Sequence, residues 1–271
     1  MTDPDIRHGP LEDLQRSLGA KLGPFGGWLM PIEYRGVLSE HRAVRDRVGL
    51  FDLSHLGKVD VVGASAFRAL QGLFTNDLRK VEVGRAQYHL GDERWFLVPN
   101  AANKDKVVSV VRAAGAEAID HDDWCFLGVQ GPRSHAVVSK LWRTAVELAF
   151  RGCRTVDWEG TEVVLARTGY TGERGYELFA DGAIAAELWG ALTTAGQPFD
   201  IEPCGLAARD VLRLEMGYPL YGQDLGPDRT TLEAGLGWAV SFDKGPFVGR
   251  EALERQRDAG LPSLLSGLAT A

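Results

Sequence analysis

V-V-L-A-R-T-G-Y-T-G-E-R-G-Y-E-L-F, Val163 to Phe179, is the stretch on which the reading of this chain turns. It opens with an apolar, β-branched run and closes with another apolar pair. Between them Gly169, Gly172 and Gly175 permit left-handed or tightly folded backbone. The pattern predicts strand, turn, strand. Tyr170 supplies a flat aromatic face, and Glu177, between Tyr176 and Leu178, alternates to the opposite face of its strand. A carboxylate in that company must reach solvent, pair with a cation or hold a ligand. The same spacing fits a glycine-rich hairpin with an exposed Glu, so the rest of the chain must decide.

Composition narrows the classes. With 271 residues, 45% hydrophobic and 25% charged, the chain is long enough for one large domain or two interlocked ones around a substantial core. A net charge of −7 argues against nucleic acid as a partner, since nothing offsets phosphate repulsion. No apolar run reaches membrane-spanning length, and the opening Met-Thr-Asp-Pro-Asp lacks the character of a signal or transit peptide. Cys125, Cys153 and Cys204, odd in number and widely spaced, fit reduced core thiols better than disulfides or a metal site. These features predict a soluble, cytoplasmic protein without a metal.

Upstream of the central stretch, helical spacing is expected over 10–21. The run Gly23 to Tyr34 is rich in glycine and proline and reads as an irregular but packed-down apolar loop, a candidate pocket wall. A helix is expected from a Ser39 cap to Gly49, and a strand pair within Gly49 to Gly63. Asp52, Ser54 and His55 invite a Ser–His–Asp triad, which is rejected: residues so close along extended chain cannot all converge, and no nucleophile elbow is present. A helix over 64–73, a strand over 95–98, a helix capped by Asn100, a strand over 122–129 and helical structure over 134–148 follow. Downstream, helices are expected over 183–192 and after Gly205, a strand over 235–242, and a last helix from Val248. On the helix after Gly205, Arg209 shares an apolar stripe with Leu212 and Met216 and therefore needs an anion, from the protein or from a substrate.

Several separated motifs agree on one family. F-G-G-W-L-M-P-I-E-Y, E-H-R-A-V-R, G-L-F-D-L-S-H-L-G, L-F-T-N-D-L and F-L-V-P-N-A-A-N are followed by G-V-Q-G-P and R-T-G-Y-T-G-E-R-G-Y-E-L-F. G-L-A-A-R-D-V-L-R-L-E-M-G-Y-P-L-Y-G, T-L-E-A-G-L-G-W-A-V and F-V-G-R-E-A-L complete the series. In this order they resemble the aminomethyltransferase, or T-protein, family of the glycine cleavage system. The resemblance implies an α+β fold, with antiparallel sheets and flanking helices forming two interlocked subdomains over residues 1–258. It implies tetrahydrofolate as a substrate and a lipoyl-carrying H-protein as a partner. Glu177 would hold the pterin's amino-pyrimidine edge, Tyr170 would line the slot, Val98 and Asn100 would contact the pterin region, and Arg209 and Tyr88 would complete the binding set.

Two departures from the family pattern accompany the matches. Ala86-Gln87-Tyr88 runs directly into His89-Leu90-Gly91-Asp92, where the family has a further strand, a Gly-Gly turn and a strand bearing an Asp-Asp pair. About twenty residues, a β-hairpin's worth, have no counterpart, and with them goes the family's catalytic Asp. Asp92 matches a loop acid rather than a substitute, so no catalytic residue is assigned. Residues 259–271 are expected to be the stub of the family's C-terminal barrel, with 264–268 as its first strand. The alternatives to aminomethyl transfer are a non-catalytic tetrahydrofolate-binding protein and a tetrahydrofolate-dependent demethylase.

Overall fold

A computed structural model describes residues 5–86, 89–91 and 93–267. The chain begins with β1 (Arg7–His8), α1 (Glu12–Ser17), β2 (Lys21–Phe25), β3 (Trp28–Glu33) and α2 (Val37–Asp46). There follow β4 (Gly49–Asp52), β5 (Val59–Val62), α3 (Ala66–Leu73), β6 (His89–Gly91), β7 (Arg94–Leu97), α4 (Lys104–Ala113) and β8 (Glu117–Asp120). The second half holds β9 (Trp124–Gln130), α5 (Ser134–Leu141), β10 (Cys153–Trp158), β11 (Thr161–Ala166), β12 (Gly175–Asp181) and α6 (Ala185–Gly196). It closes with β13 (Glu202–Cys204), α7 (Leu206–Glu215) and α8 (Arg250–Ala259).

The strands form three sheets, in a fold of α+β class. The largest has the order β10-β11-β12-β9-β4-β13 and is antiparallel throughout except at the β13–β4 pair. β9 and β12 are buried along nearly their whole length, as central strands with both faces covered should be. On one face Tyr176, Leu178 and Ala180 pack with residues of α5 and α6. On the other, Phe179, Val164, Phe126 and Phe51 pack with Leu206 and Leu212 of α7 and with Trp28 and Met30 of β3. Glu177 belongs to this second face, by alternation with Tyr176 and Leu178.

A four-stranded sheet, β6-β7-β5-β8, carries α3 and α4 over a separate core built on Val59, Val61, Trp95, Leu70 and Val111. A three-stranded sheet, β1-β3-β2, completes the set. No helix among the described residues is long and apolar enough to cross a membrane, and all three cysteines are buried and free.

Several expectations need correction. The stretch Gly23 to Tyr34 is not irregular: β2 and β3 form an antiparallel hairpin whose turn is Gly26-Gly27, at φ +57° and +83°. Two consecutive left-handed positions make the tight turn that matches strand twist; Pro24 lies on the edge strand β2, and Pro31 of β3 lies beyond the β1 pairing and opposite the register shift at Leu22. β4 and β5 do not pair; each joins a different sheet. α2 starts at Val37 rather than from a Ser39 cap, because Glu40 does the capping instead. Asn100 makes no side-chain cap and leads into a single 3₁₀ turn before α4. The helix over 134–148 breaks after Leu141 into a 3₁₀ segment. Residues 235–242 form turns instead of a strand, and residues 261–267 form no strand.

Candidate ligand-binding site

The central stretch folds as expected, with β11 and β12 paired antiparallel and the 167–174 loop between them. Only Gly172 of its glycines takes positive φ, +83°. Gly169 and Gly175 serve a different need: a Cβ at either would come within 2.0 and 2.2 Å of the Gln130 side-chain amide. That amide donates to the carbonyls of Thr168 and Tyr176 and accepts from the Thr171 hydroxyl, at 3.0–3.3 Å. The loop is therefore pinned from within by a buried glutamine, which fixes the direction in which Tyr170 projects.

Glu177 is 9% exposed and sits opposite Gly128 of β9 and Ala166 of β11. The Thr168 hydroxyl donates to one of its carboxylate oxygens. Arg209, also 9% exposed, rises from the first turns of α7 and lays its guanidinium over the Tyr170 ring, 4.5 Å from the centroid. Burial pulls the guanidinium's pKa down, while Tyr170 and Glu177 favour its charged form. Tyr170 is anchored by its hydroxyl, which donates to the Tyr218 and Pro219 carbonyls just past α7. The helix, the loop and the strand thus bring Glu177, Tyr170 and Arg209 into one group.

Of this group Arg209 lines a cavity of about 220 Å³, together with Asn100, His55, Phe25, Leu56 and Gln223 among others. Three buried nitrogens at its wall have no protein partner: Nε of Arg209 and both ring nitrogens of His55. Buried polar atoms without protein partners are met by water or by a ligand. Val98 does not share this wall. It lines a neighbouring, mainly apolar cavity of about 310 Å³ with Leu70, Phe74, Trp95 and Asn76. Tyr88 lies outside the described residues.

Sequence reasoning missed His55, Phe25 and Gln223. His55 was weighed only as a triad member. Asp52 and Ser54 touch, through donation from the Ser54 amide and hydroxyl to one Asp52 oxygen, but the three do not converge, as the spacing argument expected. His55 turns away from both, edge-on to Phe25 with ring centroids 5.2 Å apart, so the rejection of a triad stands. The signal that could have found it is its place after Ser54 in an apolar run, where a polar ring must face something. No group of residues among those described has the makings of a metal site.

Fold and cavity together have the form of an α+β protein with an internal pocket for a small molecule. A family model described as the GCVT N-terminal domain matches residues 11–91 and 88–244. An aminomethyltransferase from Frankia alni is 45% identical over 289 aligned positions, taking in 98% of this chain and 79% of the relative. One from Mycobacterium tuberculosis H37Rv is 43% identical over 286 positions, with 98% and 78% covered. The crystal structure of glycine cleavage system aminomethyltransferase T from Bartonella henselae matches with a TM-score of 0.87 at 32% identity, covering 94% of this chain and 76% of that one. The chain belongs to the aminomethyltransferase family of the glycine cleavage system. An alignment of 289 positions exceeds the 271 residues of this chain, so the relative carries residues with no counterpart here. The family model divides at 88–91, where the sequence reading puts the missing hairpin.

Proposed function

We propose that this chain is a tetrahydrofolate-dependent aminomethyltransferase working in the cytoplasm. It takes the aminomethyl group carried on the lipoyl arm of an H-protein, passes the methylene to tetrahydrofolate, releases ammonia and leaves dihydrolipoyl protein. The observation that carries this reading is the buried Arg209 guanidinium stacked on Tyr170 beside Glu177, with Nε unpartnered at the wall of a cavity. A flat heterocycle with a nitrogen-rich rim meets the needs of that group. Glu177 accepts from the ring's amino-pyrimidine N–H groups, and Tyr170 offers its face to the ring. Arg209 donates to a carbonyl or carboxylate oxygen of the ligand, and Asn100 contributes from the same wall. Val98, from the cavity beside the four-stranded sheet, and Tyr88 complete the set. Apolar walls exclude water from the electrophilic carbon. Residues 1–258 constitute this folate-binding unit.

Two measurements test the reading. Titration calorimetry should detect tetrahydrofolate binding, and Glu177→Ala should abolish it; unchanged affinity in the variant would refute the role of Glu177. Methylene-tetrahydrofolate should then accumulate from aminomethyl-loaded H-protein above the uncatalysed rate. A second reading, tetrahydrofolate binding without turnover, is favoured by the break in the family match at 88–91, since the family's catalytic Asp belongs to the hairpin assigned there. Binding without turnover would select it.

A further inference from the structure

His55 is 2% exposed, and both of its ring nitrogens lack a protein partner. It is not a packed core histidine in the ordinary sense, because it lines the cavity that Arg209 and Asn100 also line. Two independent groups, the imidazole and the Arg209 Nε, thus leave buried hydrogen-bonding capacity at one wall. Leaving such capacity unmet costs free energy, and an apolar residue would avoid the cost if the site served packing alone. Burial, with Arg209 and Lys58 nearby, pushes the imidazole down to about 3, so the ring is neutral at physiological pH. A neutral imidazole carries one donor and one acceptor, on opposite sides of one ring. It cannot neutralise an anion, and that task falls to Arg209.

We infer that His55 is a ligand-contacting residue of the folate site, hydrogen-bonding through a ring nitrogen to the polar rim of the heterocycle that Arg209 also contacts. The inference rests on the folate reading above and extends it to a residue that reading does not use. The ligand class is narrow. It must be flat enough to lie beside Phe25, which meets His55 edge-on, and it must present an N–H, a C=O or a ring nitrogen within reach of an imidazole nitrogen. The lactam edge of a reduced pterin has this pattern.

The experiment compares the wild-type chain with His55→Leu and His55→Gln, using tetrahydrofolate as the probe in titration calorimetry and thermal melting without ligand as the control. His55→Leu should bind about tenfold more weakly or worse, because the ligand's polar edge then faces hydrocarbon. Its unliganded melting temperature should be unchanged or higher, since the variant removes two unmet polar atoms. His55→Gln, which restores a donor and an acceptor, should recover most of the affinity. Wild-type affinity in a folded His55→Leu would overturn the inference while leaving the folate reading intact. So would a His55→Gln variant that folds but binds no better than His55→Leu, as that would assign the loss to shape. A wild-type chain with no affinity for tetrahydrofolate would overturn the folate reading and this inference with it.

Discussion

Arg209 owes its place in the site to its planar shape as much as to its charge. The guanidinium lies over Tyr170 at 4.5 Å, an arrangement a lysine ammonium cannot reproduce with the same stacking. Arg209→Lys should therefore weaken tetrahydrofolate binding by about tenfold although charge is kept, as calorimetry would measure. A different residue-scale effect belongs to Asp60 on β5, which accepts from Arg94 at 2.9 and 3.0 Å and pairs with the His121 ring at 3.0 Å. Burial raises its pKa, but the hydrogen bonds from His121 and Arg94 outweigh that and hold it below the ordinary carboxylate value. A carboxylate depressed on folding stabilises above its unfolded pKa and loses that contribution as pH falls through the folded value. The wild type should lose stability on acidification below about pH 4. Asp60→Asn should be less stable at pH 7 by ~1–3 kcal/mol and flatter in that acid limb, as urea unfolding at several pH values would record. At this scale the sequence was legible where a charge sat among apolar neighbours, as with Glu177 and Arg209. It did not reveal the role of His55, since spacing could exclude a triad with Ser54 and Asp52 but could not show which cavity the ring lines.

Among the elements, α7 carries Arg209 and is held in place by a residue of α2. Glu40 is fully buried, and its Oε1 accepts from the backbone amides of Tyr34, Arg35 and Gly36 at 2.6–3.2 Å. Its Oε2 accepts from the Gly205 amide at 2.7 Å, and Gly205 is the cap residue of α7. One carboxylate thus meets orphan amides at the starts of two helices, where a negative group is also favoured by the helix dipoles. The packing there is close: a Cβ on Gly205 would come within 2.1 Å of the Ile32 carbonyl oxygen. Glu40→Ala should cost at least ~3 kcal/mol and displace α7, so thermal melting and tetrahydrofolate binding should both suffer. Helix existence was legible here from spacing. The start of α2 was not, because its cap comes from inside the helix. The β2–β3 hairpin was misread because glycine and proline were taken as breakers, when Gly26-Gly27 supplies the turn.

For the whole molecule, the fold brings residues far apart in sequence to one cavity: Phe25 of β2, His55 between β4 and β5, Asn100 after β7, Arg209 of α7 and Gln223 beyond it come from five separate segments. No local pattern could have assembled that list, because strand order in the six-stranded sheet departs from chain order. β4 lies between β9 and β13, and the D-L-S-H run leaves the sheet beside Phe126 and Leu127, at the end away from the glycine-punctuated loop. What could be read in advance was the class, α+β with antiparallel sheets. The parallel β13–β4 and β1–β3 pairs were not foreseen.

The six-stranded sheet also bears all three thiols: Cys153 on the edge strand β10, Cys125 on interior β9 and Cys204 on the opposite edge strand β13. Burial pushes Cys125 up to about 12 and Cys153 to about 11, and raises Cys204 well above its ordinary value. Thiolate is the reactive species, so an alkylating reagent should leave the native chain unmodified and label it only as strands open. Alkylation in rising urea, read by peptide-mapping mass spectrometry that locates each label, would then act as a three-channel clock for the sheet. Should the rims yield before the middle, Cys153 and Cys204 will gain mass at denaturant concentrations where Cys125 is still silent, and simultaneous labelling of all three would mean the sheet dissolves as one piece.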